Sequence, residues 1–390
     1  MRRELTYEDI TLYSREVSSI SSRFGADICL TRPVTIGDAQ VETGLLMSAP
    51  MFDITGEKMA GYLASQQQVG VLHRFVDPAA QLAIVERLAW AYPSQLLSFS
   101  VGIHDVTPRL ALFRQMVEDN RFVDRSFLLC IDTANGASEL LEEPIRQILA
   151  LKRDLYERYH VNLAIMAGNI VTHEAAAWLY AQGVRFVRVG ISSGSVCSTS
   201  EVTGVFRPPV SALLEIAEFK RSANLDDFYI VADGGIKTSA DALKALAVGA
   251  DFVMLGGLLA GYHEANSPLH VYNNWDDREI LDDEALKLKL PVDRSIFKFY
   301  RGMASTEMAQ LNNQLNQLTK PILAEGVTRR VPFKGVMEPF LTTFLNSFRS
   351  SFSYANAHCL AEYQQNMEVV EITANSAMLR KPHFDGRDSC

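Results

Sequence analysis

The stretch from Val189 to Thr199 reads Val-Gly-Ile-Ser-Ser-Gly-Ser-Val-Cys-Ser-Thr. An apolar run ends in a loop of glycine and serine, and that loop carries Cys197 with Thr199 two residues on. Small residues let a backbone turn tightly and come close to a ligand. A nucleophilic thiolate needs access, which a loop provides more readily than a strand. The spacing alone leaves two readings: a nucleophile, or a Gly/Ser turn that happens to contain cysteine.

Two further turns have the composition of a phosphate site. Ala232-Asp233-Gly234-Gly235 and Met254-Leu255-Gly256-Gly257 each close an apolar run. Paired glycines expose backbone N–H groups, and with a helix start after them they can bind a phosphate. Asp233 could accept from two ribose hydroxyls. A plain tight turn is the competing reading for each pair. Glu325, in Leu-Ala-Glu-Gly-Val, reads by itself as a solvated surface charge, as most glutamates are.

Short apolar runs and longer amphipathic stretches alternate along the chain. The expected strands are Leu45–Ala49, Val69–His73, Leu96–Val101, Phe127–Asp132, Leu163–Met166, Phe186–Val189, Tyr229–Asp233 and Phe252–Leu255. Expected helices between them include Pro78–Ala91, Ala137–Arg158, His173–Gln182, Val210–Arg221 and Ala240–Val248. Eight buried strands alternating with helices predict a single-domain (β/α)₈ barrel, with an open doubly wound sheet as the alternative. Asp53, His73, Ser98, Asp132, Asn169, Cys197 and Asp233 are expected at or just after the carboxyl ends of different strands. A closed barrel brings all eight such ends onto one face, where its active sites are found. The catalytic barrel is expected over residues 1–370 and a loop-like tail over 371–390. Within the barrel, Ser267–Ser295 is long, polar and acidic, and reads as a solvated excursion, with a lid or oligomer contact as the sharper reading.

Composition narrows the function classes. The chain has 390 residues, 48 % apolar and 21 % charged, with a formal net charge of −9. A nucleic-acid backbone is a poor partner for that charge, whereas a phosphorylated small molecule needs only local groups. No apolar run is long enough to span a membrane and no secretory h-region follows the first residues, so a cytoplasmic protein is expected. The cysteines Cys29, Cys130, Cys197, Cys359 and Cys390 are scattered and odd in number. That argues against a disulfide framework or structural zinc, and most of them are expected to be core residues.

Several longer motifs, in order, resemble the inosine-monophosphate dehydrogenase and guanosine-monophosphate reductase family. They are LCIDTANG within Leu128–Gly136, IMAGNIVT over Ile165–Thr172, GSVCSTSEVTGV over Gly194–Val205, ADFVMLGGLLAG over Ala250–Gly261 and VPFKG over Val331–Gly335. The resemblance runs from about Leu5 to Val370, with the acidic excursion as the main unmatched piece. Within the family the text is more similar to the reductase. Only one helix fits between strands two and three, where dehydrogenases usually carry a regulatory (CBS) domain pair. Glu325 to Val331 is also too short for a dehydrogenase flap.

The resemblance implies roles. Cys197 matches the nucleophile that attacks C2 of the purine, and Thr199 and Glu325 match a pair that moves protons to the leaving amine. Asp233 matches a ribose ligand. Ser195, Gly234, Gly235, Gly256 and Gly257 match a phosphate cradle, and Gly302, Met303 and Ala304 a base-binding segment. Ser22, Arg23, Arg74, Asp132, Thr133, Ala134, Arg349, Ser350 and Ser351 match the nicotinamide-cofactor region. NADPH is the implied cofactor, with NADH the alternative, and a homotetramer the implied assembly. A monovalent cation such as K⁺ is implied on the carbonyls of Gly190, Ser192, Gly194 and Cys197. Three positions depart from the family: Ser192-Ser193 where it usually has Gly-x before the Gly-Ser pair, Met51-Phe52-Asp53 for its Met-Asp-Thr, and Ile322 where reductases tend to have arginine. The implied reaction is NADPH-dependent reductive deamination of GMP, or a closely related guanine nucleotide, to IMP and ammonia. The alternatives are the dehydrogenase direction with NAD and a catalytically silent nucleotide-binding barrel.

Overall fold

The computed structural model describes residues 3–24, 27–191, 193–273, 276–280, 296–316, 324–373 and 376. Eight parallel strands close into a barrel, each paired with its chain neighbours and the last with the first. We number them β1 (Leu46–Ser48), β2 (Val69–Leu72), β3 (Leu97–Val101), β4 (Ser126–Asp132), β5 (Asn162–Ile170), β6 (Phe186–Val189), β7 (Tyr229–Asp233) and β8 (Phe252–Leu255). All eight lie where the apolar runs place them, because strands buried on both faces read as continuous hydrophobic runs. Their inward side chains, such as Met47, Val71, Leu128, Met166, Phe186, Val231 and Met254, fill the barrel interior.

The connecting helices follow their stop and start signals. Asp77 caps Pro78–Ala91 by accepting from the N–H groups of Ala79 and Ala80, with proline at the first helical position. Thr238 and Asp241 form a reciprocal capping box at Ser239–Ala247. Such caps satisfy donors that the first turn leaves open. Three helices beyond the expected set, Glu57–Ser65, Val106–Asn120 and Glu338–Tyr354, complete the ring.

Three additions surround the barrel. A hairpin, Thr31–Ile36 with Ala39–Gly44, plugs its amino-terminal end: Val34, Ile36 and Val41 join the interior cluster. The Thr35 N–H donates to the Tyr229 hydroxyl at 2.7 Å. The chain ends form a clasp, Ile10–Ser14 paired antiparallel with Met367–Glu371. A four-stranded antiparallel sheet is built from Asp276–Ile280, Leu269–Asn273, Ile296–Arg301 and Thr328–Pro332, in that order.

Four expectations are corrected. The first part of Ser267–Ser295 is not a solvated excursion, since its main chain builds two strands of that sheet; residues 281–295 lie outside the described residues. The tail boundary at 370/371 falls inside a strand that runs to Glu371, and the Ile372 N–H still donates to the Asp9 carbonyl. Ser98 is the second residue of β3, not its carboxyl end, and its hydroxyl donates to the Leu128 carbonyl inside the barrel wall. Of the described cysteines only Cys130 is buried; Cys29 and Cys197 are exposed and Cys359 is half-buried, while Cys390 lies outside the described residues. No described helix is long and apolar enough to cross a membrane.

Candidate active site

Cys197 leaves β6 on the glycine-rich loop, exposed, with its Sγ 3.3 Å from the Thr199 hydroxyl. Backbone bonds stitch this loop to two distant segments. The Ser198 N–H donates to the Glu325 carbonyl at 2.9 Å and the Val327 N–H to the Val196 carbonyl at 3.0 Å. Cys197 and Gly326 form an antiparallel bridge. The Glu325 N–H donates to the Ala304 carbonyl at 2.9 Å, and the Gly302 N–H to the Val327 carbonyl at 3.0 Å. Three segments singled out in the sequence, Ser195–Thr199, Gly302–Ala304 and Glu325, therefore meet at one place. Gly302 is required there: a Cβ would strike the Val196 carbonyl oxygen.

The phosphate-like turns converge on the same place. A Cβ at Gly257 would lie 2.8 Å from the Ser195 hydroxyl and 3.3 Å from the Tyr300 ring, and one at Gly256 would lie 3.2 Å from the Tyr300 hydroxyl. Gly234, at φ +95°, backs onto Ser193, and Gly235, at φ +74°, faces Tyr7. Only glycine backbone, with two hydroxyls beside it, fits this cradle. Burial pushes the Tyr300 phenol up to about 12, so it stays a hydrogen-bond donor at neutral pH.

Asp233, at the end of β7, is held by a charge chain that the sequence reading missed. Its Oδ2 accepts from Arg188 Nε at 3.0 Å, Arg188 Nη2 at 2.9 Å and Asn169 Nδ2 at 2.8 Å. No donor among the described residues reaches Oδ1, which remains an acceptor for a ligand hydroxyl. Arg188 Nη1 also donates to Asp132 Oδ1 at 2.8 Å, and Asp132 Oδ2 lies 3.4 Å from Arg74 Nε. Arg188 is the one charge in a fully buried four-residue strand, and that was the signal available for it. Its two carboxylate partners outweigh burial and hold its pKa well above normal. Tyr300 and Arg301 were missed as well. Asp53, expected in the polar ring, is buried under Arg301, which donates to it from Nε at 2.9 Å, Nη2 at 2.6 Å and the backbone N–H at 2.8 Å. This pair fixes the strand that delivers Tyr300.

The residues matched to a cofactor fall into two groups. Arg74, Asp132, Thr133 and Ala134 border the mouth, and the β4 loop is tied to Asn169 by the Gly136 N–H at 2.9 Å. Arg74 Nη1 donates to Asn312 Oδ1 at 2.8 Å, while its Nε makes no hydrogen bond and lies in ion-pair range of Asp132. The second group lies on the outer helix Glu338–Tyr354. Arg23 Nη1 donates to the Ser350 hydroxyl at 3.4 Å, Arg349 Nη1 to the Ile28 carbonyl at 3.0 Å, and the Ser351 hydroxyl pairs with Tyr363 at 2.9 Å. Ser22 caps the N–H of Phe24 at 3.3 Å. Among the described residues no hydrogen bond or ion pair joins the two groups. Of the four carbonyls assigned to a cation, that of Gly190 accepts from Asn169 Nδ2 at 2.7 Å and that of Gly194 from the Cys197 N–H at 3.1 Å. Ser192 lies outside the described residues.

The family model described as "IMP dehydrogenase / GMP reductase domain" matches residues 4–279 and 283–383. Human GMP reductase 2 is 30 % identical over 376 residues, covering 95 % of this chain and 94 % of that protein. The inosine-5'-monophosphate dehydrogenase of Borreliella burgdorferi is 27 % identical over 414 residues, covering 97 % and 96 %. That of Helicobacter pylori is 33 % identical over 265 residues, covering 67 % of this chain and 48 % of its own length. The chain belongs to the IMP dehydrogenase / GMP reductase family of oxidoreductases.

Proposed function

We propose that this chain reduces a guanine nucleotide, GMP or a close relative, to IMP with release of ammonia, using NADPH. The observation that carries the reading is the meeting of Cys197, Thr199 and the Glu325 backbone beside a glycine cradle and an Asp233 with one spare oxygen. The nucleotide phosphate sits on Gly234-Gly235 and Gly256-Gly257 with Ser195 and Tyr300, and the ribose on Asp233 Oδ1. The purine then lies against Gly302-Met303-Ala304. Cys197 adds as thiolate to C2. Thr199 and Glu325 deliver the proton with which the amine leaves as the C2–N bond breaks, a general acid step. A thioimidate remains on Cys197, and covalent attachment divides one difficult substitution into two easier ones. Reduced nicotinamide supplies the hydride that C2 needs, and Cys197 leaves as thiolate. One GMP, one NADPH and two protons give IMP, NADP⁺ and ammonium.

The supporting feature for the reductase direction is the three-residue passage from Glu325 to the strand Thr328–Pro332, which leaves no room for a flap there. The relatives named as dehydrogenases favour the opposite direction, oxidation of IMP with NAD. An absorbance assay of cofactor turnover over both nucleotides and both cofactors separates the two. Loss of NADPH absorbance with GMP is the expected result; cofactor reduction sustained only with IMP and NAD would overturn the reading. We place the enzyme in the cytoplasm as a homotetramer.

A further inference from the structure

Two cysteines from opposite ends of the chain meet outside the Cys197 loop. Cys29 lies in the segment that leads into the hairpin plug, and Cys359 stands just before the helix Leu360–Asn366. Hydrogen bonds hold the two segments in register. The Cys29 N–H donates to the His358 carbonyl at 2.8 Å. His358 Nδ1 lies 3.1 Å from the Asp27 carbonyl, and because a carbonyl can only accept, that nitrogen carries the ring proton. Arg349 Nη1 donates to the Ile28 carbonyl at 3.0 Å. Asp27, Ile28 and Cys29 are thus each tied to the carboxyl-terminal part of the chain.

The first of these bonds limits how far apart the cysteines can be. The His358 carbonyl carbon is bonded to the Cys359 nitrogen, so standard bond lengths leave the Cα atoms of Cys29 and Cys359 no more than about 6.5 Å apart. A disulfide spans Cα separations of about 4.4–6.8 Å. Successive side chains of an extended segment alternate, and Ile28 and Leu30 are buried in the core, so Cys29 between them faces outward. Cys359 is half-buried immediately ahead of buried Leu360. Both thiols are free, and Cys29 Sγ lies 3.1 Å from the Thr31 hydroxyl. Exposure leaves Cys29 open to a small reagent.

We propose that Cys29 and Cys359 form a thiol-oxidation site, closed to a disulfide by a low-molecular-weight disulfide of the glutathione class. Cys29, the exposed thiol, attacks one glutathione sulfur as thiolate. The glutathione S–S bond breaks, and one glutathione leaves with the proton that Cys29 gave up. Cys29 then turns about χ1 from Thr31 toward Cys359. The Cys359 thiolate attacks Cys29 Sγ, the protein disulfide forms, and the second glutathione leaves with the second proton. Two cysteines are oxidised and one glutathione disulfide is reduced to two thiols. The bridge fastens the segment that carries Ser22 and Arg23 to the region that carries Arg349 and Ser350, and it closes most of the chain into one loop. A cross-link over so long a loop restricts the unfolded chain strongly, so the oxidised form is the more heat-resistant.

The test is incubation of the reduced full-length protein with oxidised glutathione, blocking of the remaining thiols with iodoacetamide, and peptide mapping without reductant. The expected product is a linked peptide pair, Cys29 to Cys359, two hydrogens lighter than the separate peptides. Its Tm should exceed that of the reduced protein and return to the starting value with dithiothreitol. In Cys359→Ser the same treatment should stop at glutathione on Cys29, with the gain in Tm lost. A parent protein whose Cys359 is still alkylated after oxidation, or whose Cys29 links to another cysteine or a second chain, would overturn the proposal. None of these readouts depends on turnover at Cys197, so this site and the catalytic reading stand or fall separately.

Discussion

Arg188 sits in Phe-Val-Arg-Val, a strand with no other polar side chain, and bridges the carboxylate of Asp233 on the neighbouring β7 and that of Asp132 on β4, two strands away. Removing it leaves the half-buried Asp233 without a cation and the buried Asp132 with Arg74 alone. Arg188→Met should therefore cost about 3–5 kcal/mol of stability, read as the change in unfolding midpoint. Arg188→Lys should recover only part of it, because an ammonium cannot reproduce the fork that serves both acids. Asp233→Asn keeps the hydrogen bonds to Oδ2 within reach but weakens the charged acceptor at Oδ1. The nucleotide KM should rise by roughly 10- to 100-fold, the equivalent of about 1.5–3 kcal/mol, with a smaller change in kcat. An unchanged KM with a fallen kcat would remove Asp233 from the ribose. Cys197, Asp233 and the glycine pairs were legible because their types are chemically scarce at strand ends. Arg188 and Tyr300 were not, because an arginine or tyrosine inside an apolar run is given meaning only by partners on other strands. Glu325 is an intermediate case: resemblance alone raised it above a surface charge, and the backbone bonds to Ala304 and Ser198 now place it beside Cys197. Glu325→Gln should slow ammonia release about 10²–10⁴-fold, while the burst of reduced cofactor from IMP and NADP⁺ persists.

At the scale of elements, β2 delivers His73 into a nearly closed position below the mouth. Its Nδ1 accepts the Phe75 N–H at 3.1 Å, and its carbonyl accepts from Gln81 at 2.8 Å. Burial, and then Arg109, push its pKa down to about 4, so the folded protein holds it neutral. The associated stability is fully present above the unfolded value near 6.5 and is lost as pH falls from there toward 4. The loss amounts to about 3 kcal/mol. His73→Gln should flatten the fall in Tm between pH 7 and pH 4.5 relative to the parent protein; equal slopes would show that other groups carry the acid sensitivity. The eight barrel strands and five of their helices were readable from the alternation of apolar runs with amphipathic stretches. The antiparallel sheet was not. Its first strands include the acidic text at Asp276-Asp277, where composition argues for solvent and pairing with Leu269–Asn273 decides otherwise. The hairpin plug went unread for a related reason: its alternation of Val34, Ile36 and Val41 serves the barrel floor, a surface that exists only after closure.

For the whole molecule, the clasp between Ile10–Ser14 and Met367–Glu371 joins the two ends of the chain across its five paired residues. Truncation after Asn366 should lower Tm without changing the nucleotide KM, since neither strand borders the Cys197 loop. The assembly question is separate. Val202, Val205 and Phe206 follow the Cys197 loop and are 45 %, 53 % and 46 % exposed, an apolar stretch at the mouth of an isolated subunit. Sedimentation velocity should give about 174 kDa, four copies of 43.4 kDa. A species near a single copy at assay concentration would contradict the tetramer but leave the chemistry intact.

The proposed chemistry holds the purine through a covalent bond from its C2 to Cys197. Incubating the full-length enzyme with IMP and NADP⁺, quenching in acid and mapping the peptides by mass spectrometry tests it directly. A purine-nucleotide adduct is expected on the peptide containing Cys197. The adduct and GMP turnover should disappear together in Cys197→Ala, while equilibrium binding of GMP remains. Sustained turnover in Cys197→Ala, or an adduct on another residue, would contradict it.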